Sequence, residues 1–448
     1  MADARPFHWE YQAPPVPQET ICIEGGLPLH GEVPISGSKN AALKLLAAAT
    51  LTGERCRFSN VPEIADVAVM VEVLRDLGVV VDHPEPNSYE VSAGDVDWLF
   101  VPLEAAAKMR ASFILLGPLL ARFGRVIISN PGGDRIGRRP VGLHVEAMQA
   151  LGATIGYRNG YYFAQAPGRL RGGHVVFPHV TVMGTENALL AATLADGHTT
   201  IRPAAREPEV DDLIGFLQAM GAEVQRTAPD VIEVEGRRRL RGATHHIIAD
   251  RIEAGTFAVA AAITGGQVTL RGAPSAHLGA FLDLLAKVGV ELGGDGDRIT
   301  VRGAEPASGA YVAADIETAA YPGLATDLQP PTAVLLTQAR GRSTVHETIF
   351  EDRLEWLTDL GHMGAKVEVR DAHHATITGP TRLHGSDLVM SDLRAGASLI
   401  LGALAAEGRS TISGVHHVRR GYEDIEGKLL DLGASIEQES GPMSSDPA

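Results

Sequence analysis

Cysteine is nearly missing: Cys22 and Cys56 are the only two in 448 residues. Two thiols in a chain of this length make neither a disulfide framework nor a zinc cluster. Long apolar runs are missing too. Near-apolar stretches such as Ala41–Leu51 and Ser112–Ala121 are far shorter than the ~20 residues a membrane-spanning helix needs. Positive charge is in deficit, with 39 Lys and Arg against 55 Asp and Glu and a net charge of −16. Nucleic-acid binders are normally basic, so no nucleic-acid partner is expected. No metal is expected either, because the 17 histidines show no ligand spacing; His245-His246, His373-His374 and His416-His417 read as polar turns. The stretch Met1–Thr20 is polar and Pro-rich, without the apolar core of a signal peptide. The expectation is a cytoplasmic protein with no membrane partner and a loose N-terminal extension over residues 1–19.

What is plentiful is glycine, 50 residues, and it recurs in register. An amphipathic helix, a glycine and a short strand repeat six times, at Gly78, Gly152, Gly221, Gly289, Gly364 and Gly433. A second series interleaves with the first: a helix of small apolar residues, a glycine turn, then a strand. Its glycines are Gly53, Gly124, Gly197, Gly265, Gly341 and Gly408. Both series step by about 70 residues, which marks an internal repeat. In the first series Val67, Met70, Val71 and Leu74 fall at helical spacing, giving one buried stripe and a wet back. Helices of the second series are apolar nearly all round and should be buried on every side. Their closing glycines suit left-handed caps. Alternating stretches such as Arg57–Asn60, Val126–Ser129 and Gln267–Arg271 read as strands. The first strand is expected over Thr20–Glu32. Buried helices with strands outside reverse the layering of a doubly wound sheet. Six units exceed one core of usual size, so two domains of three units are expected, with the break near Arg241–Arg251.

Chemistry concentrates between Lys108 and Arg139. Lys108, Arg110, Arg122, Arg125, Arg135, Arg138 and Arg139 stand against one acid, Asp134. A charge run is by default a solvated surface. Here the arginines flank Asn130-Pro-Gly-Gly-Asp-Arg-Ile-Gly-Arg-Arg-Pro140, a Gly-rich loop. Arginine forks bind phosphate and carboxylate, so this loop reads as a lid over an anion. Ser36-Gly-Ser-Lys-Asn40 opens the first small-residue helix. It offers backbone N–H groups and an ammonium to a phosphate, although a Ser at a helix start is more often a plain cap. Asp327 opens the fifth buried helix and Asp392 the sixth, where a cap is again the default.

Taken together, Gly37-Ser-Lys-Asn-Ala-Ala42, Met109-Arg-Ala-Ser112, Pro131-Gly-Gly133 with Arg139-Pro140, Arg206-Glu-Pro-Glu209, Asp250-Arg-Ile-Glu253, Glu347-Thr-Ile-Phe350 with Arg353, Asp392-Leu-Arg-Ala395 and Arg420-Gly-Tyr422 resemble the enolpyruvyl transferases. The match runs from about Thr20 to Glu437 and is most similar to the members acting on UDP-N-acetylglucosamine. The resemblance implies an α/β fold: a two-domain inside-out α/β barrel of six βαβαββ repeats. It places residues 20–38 plus 249–448 in one domain and 39–248, with the loop 130–140, in the other. The implied substrates are phosphoenolpyruvate and UDP-N-acetylglucosamine, joined by addition and elimination without any cofactor. Lys39, Asn40, Arg139, Arg394 and Arg420 match phosphoenolpyruvate binders. Arg110, Arg139, Pro140, Val141, His144, Thr181, Asp327, Ile349 and Arg353 match the UDP-sugar side. Asp327 matches the base that takes the sugar hydroxyl proton, and Asp392 a residue placing the intermediate.

The loop departs from the usual pattern, with Asp134 where the family commonly has Cys. A carboxylate there implies insensitivity to fosfomycin, which alkylates the thiolate. Nearby arginines favour a charged carboxylate, whereas a proton donor needs the opposite, so closure of the lid around bound substrate has to reverse the balance. Gly142 stands where the family often has Asp, and His179-Val-Thr-Val-Met-Gly184 also differs. Two other readings are a divergent enolpyruvyl transferase with another hydroxyl acceptor, and a non-catalytic paralogue that binds a nucleotide sugar.

Overall fold

The computed structural model describes residues 19–440 other than Asp97 and Arg135. The extension expected over residues 1–19 lies outside the described residues except for Glu19. Six four-stranded sheets surround two groups of buried helices. The sheets share one plan. In the second, Phe100–Val101 runs parallel to Arg125–Ser129, which pairs antiparallel with Tyr161–Gln165, which pairs antiparallel with Thr154–Arg158. The six repeats of the sequence are thus six copies of one mixed sheet with two helices each.

The small-residue helices lie inside, as their composition requires. Lys39–Ala48, Leu116–Phe123 and Val182–Ala192 belong to one core, drawn from residues 41–247. Arg251–Ile263, Gln329–Thr337 and Leu393–Ala405 belong to the other, drawn from residues 21–35 and 252–434. Every residue of Arg251–Ile263 and of Leu393–Ala405 is buried. Small residues permit close approach: a Cβ at Gly117 would overlap the backbone oxygen of Asn187 on the neighbouring helix. The first-series glycines all have positive φ, +88° to +103°. In the second series Gly53 departs from the expectation, because its helix ends in a short 3-10 turn, Ala49–Leu51.

The single strand expected over Thr20–Glu32 is in fact two, Glu19–Glu24 and His30–Pro34. Gly26, at φ +79°, bends the chain between them. Glu19–Glu24 pairs with Arg409–Ser413 and Ser435–Ser440 and completes the sixth sheet. His30–Pro34 pairs with Gln267–Arg271 and completes the fourth. Thr244–His246, before the second core begins, turns back to Cys56–Ser59 and completes the first. Each group of three sheets therefore closes on itself through strands far apart in sequence. Among the described residues no helix is long and apolar enough to cross a membrane.

Candidate active site

The chain passes between the two cores twice, side by side: Ser38 N donates to Ile248 O at 2.7 Å, and Asp250 N to Ser36 O at 2.8 Å. Two caps meet here. Ser38 Oγ accepts from Ala41 N at 3.3 Å and starts Lys39–Ala48. Asp250 Oδ1 accepts from Ile252 N and Glu253 N and starts Arg251–Ile263, while its Oδ2 accepts from Lys39 N at 3.1 Å. One carboxylate thus serves the first turns of two helices from different cores.

Lys39 begins its helix at this junction. Its ammonium lies 2.8 Å from Asp66 Oδ2, and Arg420 Nε donates to Asp66 Oδ1 at 3.0 Å. Arg420 Nη1 also donates to the carboxylate of Asp134. The loop 130–140 is therefore tied to residues of the other core. Arg138 N donates to Glu351 Oε2 at 3.1 Å. Within the loop, the Arg139 guanidinium donates to the Asp134 carbonyl and the Arg110 guanidinium to the Arg139 carbonyl. Gly133, at φ +109°, has Arg110 Cβ 3.0 Å from where its own Cβ would stand, so both conformation and space call for glycine there.

A second cluster surrounds Asp327. Arg353 Nη2 donates to its Oδ1 at 2.8 Å and Arg394 Nε to its Oδ2 at 3.3 Å. Arg394 also lies over the Tyr422 ring at 5.2 Å, and its Nη1 is buried without a partner among the described residues. Glu347 braces the neighbouring turn, accepting from Ile349 N at 2.8 Å and Thr326 Oγ1 at 2.9 Å. Ile349 is left exposed.

The electrostatics follow from burial and neighbours. Burial lowers the proton affinity of Lys39, Arg394 and Arg420 act the same way, and Asp66 opposes them. Burial pulls the Asp327 carboxyl up, but Arg394, Arg353 and Lys39 outweigh it and hold the group well below the usual carboxylate range. Burial brings the Arg110 guanidinium down to about 10, with Arg139 assisting. Lys39, Arg110, Arg139, Arg353, Arg394 and Arg420 thus gather around Asp66, Asp134 and Asp327 in a protein of net −16. The cluster suits a ligand carrying both phosphate and carboxylate.

Several sequence readings gain a definite place. Asp327 is no cap; it takes two guanidinium partners instead. Asp392 is a cap, its Oδ1 accepting from Arg394 N at 2.8 Å and Ala395 N at 3.0 Å, so it fixes the turn that carries Arg394. Thr181 caps Val182–Ala192. Val141, buried beside the exposed Pro140, precedes the helix Gly142–Ala150. His144 is turned into the core, edge-on to Phe113 and 3.0 Å from Asn187, and burial brings its imidazole down to about 3. The Asp134 carboxylate meets Arg420, with Arg139 close enough to bond the Asp134 carbonyl; Arg135 lies outside the described residues.

Asp66 was missed in the sequence. It stands one turn ahead of Met70 and two ahead of Leu74, on the buried stripe of Ala65–Asp76, and is 3% exposed. An acid on an apolar stripe was the signal that could have found it.

A family model described as EPSP synthase (3-phosphoshikimate 1-carboxyvinyltransferase) matches residues 23–429. The chain belongs to the enolpyruvyl transferase family. Among its family relatives, the UDP-N-acetylglucosamine 1-carboxyvinyltransferase of Dinoroseobacter shibae is 44% identical over 421 residues, covering 94% of this chain and 99% of that one. The enzyme of the same description from Solibacter usitatus is 45% identical over 419 residues, covering 93% and 99%. The solved enolpyruvyl transferase NikO of Streptomyces tendae superposes with a TM-score of 0.86 at 26% identity, covering 95% of this chain and all of that one. An EPSP synthase from Acinetobacter baumannii, at 18% identity and a TM-score of 0.72, covers 94% and 100% and shares the fold. The enolpyruvyl transferase fold expected from the repeats and motifs is thus the one observed.

Proposed function

We infer that this chain transfers the enolpyruvyl group of phosphoenolpyruvate to the 3-hydroxyl of UDP-N-acetylglucosamine and releases phosphate, the first committed step of peptidoglycan synthesis. The observation that carries the reading is the convergence of Lys39, Arg394 and Arg420 with the acids Asp66, Asp134 and Asp327 at the junction of the cores. It is joined by relatives of that activity at 44–45% identity over nearly their whole length.

We propose the following roles. Lys39, Asn40, Arg139, Arg394 and Arg420 hold the phosphate and carboxylate of phosphoenolpyruvate. Arg110, Arg139, Pro140, Val141, Thr181, Ile349 and Arg353 hold the UDP-sugar, with His144 supporting the loop. Asp327 takes the hydroxyl proton as the oxygen attacks C2, and Asp134 gives a proton to C3, forming a tetrahedral ketal. Loss of a C3 proton and departure of phosphate then restore the enol ether. A carboxylate paired to two arginines is a weak base. Arg394 drawn onto the incoming anion frees Asp327 to accept the proton, so binding of one substrate activates the other. We propose too that the two cores are two domains, 20–38 with 249–448 and 39–248, hinged where the chain crosses at Ser38 and Ile248. The separate cores and the adjacent crossings support that division.

The test is phosphate release from phosphoenolpyruvate by the full chain, with and without UDP-N-acetylglucosamine. Release should require the UDP-sugar. A folded protein that binds both and releases none overturns the reading.

A further inference from the structure

One buried ion pair in the first core has no part in the chemistry described. Lys44 follows Asn40 by one turn of the helix Lys39–Ala48. Its ammonium donates to the Asn40 carbonyl at 2.6 Å and lies 3.7 Å from Glu186 Oε2. Glu186 belongs to Val182–Ala192 and is fully buried. Neither of its oxygens has a hydrogen-bond partner among the described residues. Glu207 and Glu209 face it from the start of the helix Pro208–Ala219, and Arg251, from the other core, holds Glu209 at 3.0 Å. His144, from Gly142–Ala150, bonds the adjacent Asn187. Burial pushes the Glu186 carboxyl up to about 7; Lys44 opposes this, and Glu209 and Glu207 add to it.

Such a pair is a poor device for stability. A desolvated pair whose carboxylate has no further hydrogen bonds commonly does no better than apolar residues of the same size. Its location suggests another use. It joins the helix whose first turn carries Lys39 and Asn40 to the helix capped by Thr181. Lys44 stands about 6 Å along the axis from the Asn40 level, four residues on at about 1.5 Å each. With Glu186 neutral, the ammonium adds its field to the anion site. With Glu186 charged, that field is largely cancelled.

We infer that Lys44 and Glu186 are positioning residues for the transfer, holding the Lys39–Asn40 turn and setting the charge behind it. The inference rests on the reading that this turn binds phosphoenolpyruvate.

The experiment is steady-state phosphate release from pH 5.5 to 8.5, with thermal melts, on the full chain and on E186Q, K44M, K44R and the double variant K44L/E186L. The wild type should lose kcat/KM for phosphoenolpyruvate through an inflexion near pH 7, and E186Q should lack that inflexion. K44M should raise KM for phosphoenolpyruvate about tenfold while kcat at saturation changes little, as removal of one charge at this range implies. K44R should restore KM. The double variant guards against simple misfolding: it should melt no lower than the wild type and still show the raised KM. A double variant with wild-type KM and pH profile, or an E186Q variant that keeps the inflexion, overturns the inference alone. A wild type that releases no phosphate overturns the functional reading and this inference with it.

Discussion

The Asp134 carboxylate rests on Arg420, a cation assigned here to phosphoenolpyruvate. In the free protein the lid residue therefore occupies a place the substrate's anionic group must take. Arrival of substrate has to displace it, and the role proposed for Asp134 requires that the displaced carboxyl then reach the carbon that needs a proton. Two consequences separate. If Asp134 is the proton donor proposed, removing the carboxyl should cost the roughly 10²–10⁴-fold in rate typical of a general acid. The same change removes a competitor for Arg420. Asp134→Ala should lower kcat at least about 100-fold while binding phosphoenolpyruvate as tightly as the wild type or tighter. Turnover of the variant by phosphate release, with substrate affinity by calorimetry, decides the matter. An undiminished rate sinks the acid role; clearly weaker binding sinks the competition.

At the scale of the element, one side chain organises two helices. Asp250 caps Arg251–Ile263 and accepts from the backbone of Lys39 at the head of the other core's helix. Loss of an N-cap costs roughly 0.5–2 kcal/mol, and here Lys39 loses its anchor as well. Asp250→Ala should lower Tm by a few degrees and raise KM for phosphoenolpyruvate, whereas Asp250→Asn should recover most of the Tm. Equal loss in both variants, or an unchanged KM in the Ala variant, would show that the cap does not place Lys39. This scale also marks what the sequence made legible. Small-residue helices announced their own burial, because a helix apolar all round has no wet side to show. The left-handed glycines announced the turns. Strand partnership was not legible: Glu19–Glu24 pairs with residues about 390 positions away, and nothing local encodes closure of the ring. The site divides in the same way. Ser38 and Asp392 read as caps from their own neighbourhoods. Asp327 with Arg353 and Arg394, and Asp134 with Arg420, are tertiary pairs that spacing cannot show. Only the resemblance as a set pointed to them.

Over the whole molecule, the two cores carry parallel electrostatic liabilities. In the first, Glu186 is buried beside Lys44; in the second, Glu253 is buried beside Lys428, which donates to it. Burial pushes both carboxyls from 4.5 up to about 7, with the lysine opposing in each case. The sign of the linkage is then fixed. Below about pH 4.5 both groups are protonated folded or unfolded, and they contribute no pH dependence. Between about 4.5 and 7 the folded state binds more protons than the unfolded one, so stability falls as pH rises, and it levels above about 7. Asp327 works in the opposite sense: its folded proton affinity is held down, so its contribution is present above its ordinary value of 3.8 and is lost as pH falls below that. His144 opposes the two carboxyls: burial brings its imidazole down to about 3, so between about pH 3 and 6.5 only the unfolded chain protonates it and its contribution grows as pH rises. Thermal melts from pH 4 to 8.5 on the wild type and on Glu253→Gln isolate one carboxyl: the wild type should lose Tm relative to the variant from about pH 5 to 7. The amide of Glu253→Gln keeps the shape, can still accept from Ser36 N and cannot ionise, so the difference reports the Glu253 proton. A wild type that holds or gains Tm relative to Glu253→Gln from pH 5 to 7 would show that Lys428 holds the Glu253 carboxyl charged, and that its burial cost is already met.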